Sequence, residues 1–230
     1  MKIIFTTQLP HEGFQLLSNP PGVQLIMPEQ ERLDIPSFIQ SAHTDAEIVV
    51  ATFDYTVSKE LIDNMPSLQL ITNFGVGYNN IDLDTCRARG IRVTNTPQPV
   101  IEPTAELAFA LMIDIARRVS EFDRKIRGIG PQTEPRRFGV MQNLSHSLYG
   151  KTLGIIGMGR IGLSLARRAL ASGMKVIYHN RKPRVESQEP RVESQVPIVE
   201  STQYVDFQTL LQDSDFVSLN LPYTPESHHI

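Results

Sequence analysis

The sequence predicts an α/β fold made of two Rossmann-like parallel-sheet units. Three observations predict it. Short apolar runs alternate with amphipathic segments of helical length along the chain, the pattern left by parallel strands joined through crossover helices. Two of the apolar runs open into glycine turns, FGVGYNN at 74–80 and GMGRIG at 157–162. With 40% of 230 residues hydrophobic, the chain has enough apolar surface for one large or two modest cores.

In the first unit KIIF opens a strand, AEIVVA makes a second at 46–51 and LQLITNF a third at 68–74. SKELIDNM, between the last two, is a short helix stopped by Pro66. IDLDTCRARG at 81–90 is a helix with Asp82 as N-cap and Gly90 as its stop, and the strand IRVTN follows. The boundary is placed so that the units are 1–98 and 99–230.

PTAELAFALMIDIARRVSEFDRKIR reads as one long helix, long enough to bridge two domains. Leu107, Leu111, Ile115, Val119 and Phe122 recur in it at helical spacing, and Pro103 and Thr104 lie near its start. Gly128, Gly130, Pro131 and Pro135 then break regular structure. The stretch 128–150 is read as a surface arm or linker with Arg136 and Arg137 solvated. TLGIIGMGRIGLSLARRALASGMKVIYHN supplies strand, turn, helix and strand. After it a seven-residue unit repeats between 183 and 201, and the prolines that start each copy, Pro183, Pro190 and Pro197, exclude a continuous helix. This is read as a duplication in a surface loop. YVDFQTLLQDSDFVSLNLP returns to a short helix and a strand.

Composition narrows the function. A net charge of −3, from 22 basic and 25 acidic residues mixed along the chain, carries no footprint for nucleic acid or a membrane surface. Cys86 is the one cysteine, which excludes an internal disulfide and fits a reducing compartment. The opening MKIIFTTQLP is too short in apolar residues for a signal core, and no later run approaches a membrane span, so a cytoplasmic protein with a small-molecule ligand is expected.

The glycine turn at 157–162 carries the chemistry. A bare GxGxxG is weak, but here a strand precedes it, a helix follows from about Arg160 to Leu170, and a second strand ends at Asn180. Gly157 allows the tight turn, Gly159 lets backbone amides approach a pyrophosphate, and Gly162 lets helix and strand pack closely. The pyrophosphate then lies at the positive end of the helix dipole. About 20 residues on, a carboxylate would bind the ribose 2′-hydroxyl of NAD. Here the position reads Asn180, Arg181, Lys182, which suits the 2′-phosphate of NADP; NADP(H) is preferred and NAD(H) possible.

NFGVGYNNIDLDTCRARGIRVTNTP, PTAELAFALMIDIARR, GKTLGIIGMGRIG and SDFVSLNLPYTPESHHI occur in this order, and together the chain resembles the D-isomer-specific 2-hydroxyacid dehydrogenases, with the glyoxylate/hydroxypyruvate reductase branch the nearest in look. The resemblance implies a flavodoxin-like substrate domain, a Rossmann cofactor domain, an active site in the cleft between them, and a homodimer for the full-length protein. It also implies that Val76 and Gly77 offer backbone amides to the substrate carboxylate, that Thr104 touches the cofactor, that Arg160 and Ile161 lie along the pyrophosphate, and that Leu221 and Pro222 close over the adenosine side. From the residues alone, Gly75 and Gly77 after an apolar strand make a loop whose amides can converge on an anion.

In this family the catalytic arginine, and the histidine tuned by a glutamate, follow the LPYTPES motif. They are therefore expected beyond Ile230, with the cofactor domain incomplete at its C-terminal end and this segment inactive by itself. Adjacent His228 and His229 fall at a variable helix start, and no metal site is assigned. His11 and His43 have no carboxylate at a spacing that suggests a pair, His146 lies in the linker, and His179 lies next to the ribose-selecting position, at the adenosine end of the site. The expected function is NAD(P)-dependent reduction of a small 2-keto acid to the D-2-hydroxy acid. The alternative is a non-catalytic dinucleotide-sensing protein of the same fold, and relatives acting on phosphoglycerate, formate or D-lactate stay open.

Overall fold

The computed structural model describes residues 1–10, 21–128, 139–183, 201–222 and 224–230. They divide into two compact units, Met1–Pro99 and Val100–Ile230. The seven-residue repeats at 184–200, Arg136, Arg137 and His11 lie outside the described residues.

In the first unit the strands are β1 (Lys2–Phe5), β2 (Gln24–Ile26), β3 (Ile48–Thr52), β4 (Leu70–Phe74) and β5 (Arg92–Asn95), with helices α1 (Ile35–Ile39), α2 (Lys59–Asp63) and α3 (Leu83–Ala88). All strand pairs are parallel, in the order β2-β1-β3-β4-β5. Helical crossovers cover such a sheet, so its central strands are apolar in both directions: Ile4, Phe5, Val49, Ala51 and Ile71 are buried together with Leu61, Ile62, Met65 and Cys86. Ser58 and Asp82 cap α2 and α3 by accepting from the amides of Leu61 at 3.3 Å and Thr85 at 2.9 Å. The strand expected at 46–51 lies at 48–52. β2 and α1 are absent from the sequence reading, because three and five residues are too short to show a period.

The second unit holds α4 (Ile101–Arg117), α5 (Val119–Arg127), β6 (Thr152–Ile156), α6 (Arg160–Ala171), β7 (Lys175–His179), β8 (Gln203–Tyr204), α7 (Phe207–Asp213) and β9 (Phe216–Leu219), and a 3₁₀ turn at Pro225–Ser227. Its parallel sheet runs β8-β7-β6-β9. Among the described residues, 139–150 carry neither helix nor strand.

The expectation of one long helix needs correction. It is two helices, broken at Arg118, whose φ of 57° is left-handed. No glycine or proline marks the break; side chains make it. Asp114 accepts from the Ser120 amide at 2.6 Å and its hydroxyl at 2.7 Å, which gives α5 a separate N-terminal anchor, and the Arg118 guanidinium donates to Glu121 and to the Leu144 carbonyl. Four of the five recurring apolar residues lie on the outer face. Leu107 is 60% and Ile115 73% exposed, and Leu111 and Val119 are exposed with them, whereas Ala105, Met112 and Ala116 are buried. The inward face is the small-residue one, since Ala105, with Ala108 partly buried beside it, lets α4 lie close against α6. Glu102 locks that contact by accepting from Ser164 Oγ at 2.8 Å and Arg168 at 2.9 Å, which holds its carboxyl below the ordinary range.

Tyr55 gives the first unit a defined alkaline limit. Its hydroxyl donates to the Leu33 carbonyl at 3.0 Å, and burial, reinforced by the Asp34 carboxylate, pushes it from the usual 10.0 up to about 12. The neutral phenol is thus favoured in the folded state. Its contribution is fully present below pH 10 and is lost as pH rises through about 12. Denaturant titrations across that window should show stability falling for the wild type and a flatter dependence for Tyr55→Phe; parallel curves would remove Tyr55 as the cause.

Candidate functional site

Two loops at the C-terminal ends of parallel strands present unpaired amides. In the second unit β6 ends at Ile156 and Gly157 turns the chain with φ of 99°. A Cβ there would stand 2.7 Å from the Asn220 carbonyl oxygen and 2.8 Å from Leu221 Cδ2, so glycine is required for both conformation and space. The loop is pinned from within. The Gly157 amide donates to the His179 carbonyl at 3.0 Å, Met158 to Asn180 Oδ1 at 2.7 Å, and Gly159 to the Gly157 carbonyl at 2.8 Å.

Helix α6 then starts without a side-chain cap. Among the described residues no acceptor takes the amides of Arg160, Ile161 or Gly162, which leaves the positive end of a twelve-residue helix open to an anion. Gly162 must also lack a Cβ, which would lie 2.5 Å from the Gly157 carbonyl oxygen, whereas the space in front of Gly159 is open.

At the end of β7, Arg181 and Lys182 are exposed, while Asn180 is half-buried and committed to the Met158 amide. His179 pairs through Nδ1 with the Val205 carbonyl at 3.0 Å, and Tyr204 donates to the Asn180 carbonyl at 3.2 Å, which fixes the strand end. Leu221 and Pro222 are exposed, and Leu221 borders Gly157. Thr104 is exposed in the first turns of α4, with no hydrogen bond from its side chain to the glycine loop among the described residues.

In the first unit the loop after β4 is held by its carbonyls. The Thr96 amide donates to Gly75 O at 3.0 Å, Asn95 Nδ2 to Val76 O at 2.7 Å, and Asn73 Nδ2 to Gly77 O at 2.6 Å. In a trans peptide the N–H points opposite to the C=O, so each pinned carbonyl aims the next residue's amide away from its partner. The amides of Val76, Gly77 and Tyr78 have no acceptor among the described residues. Phe53, Phe74 and Tyr78 stand at least half exposed around them. Asn73, Asn80, Asn95 and Thr96 are the residues that sequence reasoning missed here. The available signal was Asn73, a polar residue two positions after Ile71 on the inward face of an apolar strand.

The rings of His228 and His229 are 3.8 Å apart, both are exposed, and among the described residues no group of three metal-ligating side chains forms. Among those residues His43 has the Asp45 carboxylate near it, and no histidine–carboxylate hydrogen bond occurs. No helix of the described residues is long and apolar enough to cross a membrane.

A parallel sheet, a glycine turn and an uncapped helix N-terminus define a dinucleotide-binding unit of Rossmann type. The chain belongs to the D-isomer specific 2-hydroxyacid dehydrogenases: residues 109–230 match the model of that family's NAD binding domain. It is 36% identical to a glyoxylate reductase of Thermococcus litoralis over its whole length, and it spans 66% of that relative. Among solved structures, a Thermus thermophilus protein superposes with a TM-score of 0.80 at 32% identity, covering 99% of this chain and 67% of its own. A D-lactate dehydrogenase from Aquifex aeolicus, solved with NAD and lactic acid, gives 0.75 at 28% identity, covering all of this chain and 63% of its own.

Gly157→Ala should abolish measurable dinucleotide binding, because the φ and the Asn220 carbonyl both exclude a Cβ, and should destabilise the unit by about 2 kcal/mol. Fluorescence titration with NADH and NADPH, with thermal melts alongside, checks it; wild-type affinity in the variant would show that the turn is not the phosphate loop.

Proposed function

We propose that the chain belongs to a reductase of small 2-keto acids, of glyoxylate or hydroxypyruvate type, that forms the D-2-hydroxy acid with NADPH preferred and NADH possible as electron donor. The run of outward-aimed amides at 76–78 carries this reading, since it offers a carboxylate, the group every 2-keto acid has, a set of fixed donors. The name of the T. litoralis relative supports the substrate class.

On this reading the first unit is the substrate domain and the second the cofactor domain. A bound nicotinamide dinucleotide supplies the hydride. The amides of Val76 and Gly77 hold and orient the substrate carboxylate, and those of Arg160, Ile161 and Gly162 neutralise the pyrophosphate. Gly157 and Gly159 keep the approach clear, and Thr104, Leu221 and Pro222 border the cofactor. A cytoplasmic location fits the single, buried thiol of Cys86.

Preference for NADP(H) is supported at the end of β7. No carboxylate stands at 180–182, and Arg181 and Lys182 are exposed without an ion pair among the described residues, free to take a phosphate. NADPH should bind more tightly than NADH, and Arg181→Ala should weaken NADPH about 10-fold while leaving NADH near its wild-type affinity. Parallel titrations decide it: equal wild-type affinities, or a loss shared by both cofactors, would sink the assignment.

The partner we propose is a second copy, docked on the outer face of α4. Leu107, Leu111 and Ile115 form an exposed apolar stripe that Val119 continues at the start of α5. The stripe itself carries no charge, so two copies related by a two-fold axis can cover it with the same residues of each other. Light scattering should find a dimer for the wild type and a monomer for Ile115→Glu with an unchanged melting temperature; an unchanged mass would place the interface elsewhere.

A further inference from the structure

We infer that Asn73 and Asn80 are a positioning pair that sets the sign of the electrostatic field at the loop 75–78; the inference rests on the carboxylate reading of that loop. Asn73 is 0% exposed, in a strand whose inward neighbour is Ile71. The two carboxamides face each other reciprocally, Asn73 Nδ2 donating to Asn80 Oδ1 and Asn80 Nδ2 to Asn73 Oδ1, each at 3.2 Å. Asn80 Nδ2 also donates to the carbonyls of Thr52 at 3.0 Å and Tyr55 at 2.9 Å, and Asn73 Nδ2 to Gly77 O at 2.6 Å. The pair therefore ties the end of β3, the end of β4 and the loop into one closed network.

Burying two carboxamides is unfavourable unless every polar atom is satisfied, and an apolar pair would fill the same space without that demand. What an apolar pair lacks is a donor for Gly77 O. Without one, the 77–78 peptide is free to rotate, and rotation by half a turn replaces the Tyr78 N–H with a carbonyl oxygen facing the ligand. An anion site would become a repulsive one with no change in the identity of any residue that faces the ligand. Only a side chain with both donor and acceptor serves at position 73: aspartate can accept from Asn80 but cannot donate to Gly77, and it adds a negative charge behind the site.

The test is a glycolate titration of the ¹⁵N-labelled chain, with glycolamide as the uncharged control and NADPH affinity as a check on the second unit. In the wild type the amide resonances of Val76, Gly77 and Tyr78 should shift with glycolate and not with glycolamide. In Asn73→Ala and Asn73→Asp, glycolate affinity should fall at least about tenfold, with NADPH affinity and the resonances of the β-sheet unchanged and those of Gly77 and Tyr78 displaced before any ligand is added. Absence of wild-type binding would sink the carboxylate reading and this inference together. Folded variants that bind glycolate like the wild type would overturn the positioning role alone. If both variants unfold, Asn80→Ser carries the same expectation, and unfolding of all three would reduce the pair to a structural one and also overturn the inference.

Discussion

A peptide group can show a donor to a ligand only if its neighbour's carbonyl is turned away and satisfied, and both candidate loops are organised by that constraint. Around the first, the carbonyls of Gly75, Val76 and Gly77 are each tied back by a residue from β4, β5 or the segment just after it. In the second, the early amides of the turn are consumed by His179, Asn180 and Gly157, so that the first open donors are those of the α6 terminus. The parallel sheet makes this possible. Its strand ends deliver several chain segments to one edge, where they can hold a loop that has no ladder of its own.

The sequence showed the parts of this design that depend on local rules. Glycine spacing between a strand and a helix located the turn at 157–162, and Asp82 and Gly90 bounded α3. Features that depend on register or on a partner were hidden. Asn73 looks like a break in an apolar run until β4 is paired with β3 and β5, and only then does its carboxamide fall beneath Gly77. The helical period of α4 was correct, but a period cannot say which of two faces turns inward, and Ala105, Met112 and Ala116 proved to be the buried set. The break at Arg118 rests on Asp114 and Leu144, residues four before and twenty-six after it.

The outward apolar face and the inward polar clamp of α4 have one origin. A helix that must lie close to α6 buries small side chains and reaches its neighbour with long ones, as Glu102 and Glu106 do toward Arg168. Ser164 is 1% exposed and is satisfied by Glu102 and Arg168, so the contact tolerates a hydroxyl in the core. The bulky aliphatic residues are left for the other side.

The bond from the Met158 amide to Asn180 Oδ1 has an evolutionary side. On the proposed cofactor reading position 180 adjoins the ribose, yet its side chain is also a strut of the turn, so drift there is confined to residues that offer an acceptor at the same reach. Asparagine and aspartate satisfy that condition, and lysine or arginine does not. Positions 181 and 182 carry no such obligation and can exchange charge freely. On the same reading, descendants of this sequence can change cofactor by one conservative step at the strut together with unconstrained steps beside it, and each intermediate keeps the glycine turn intact.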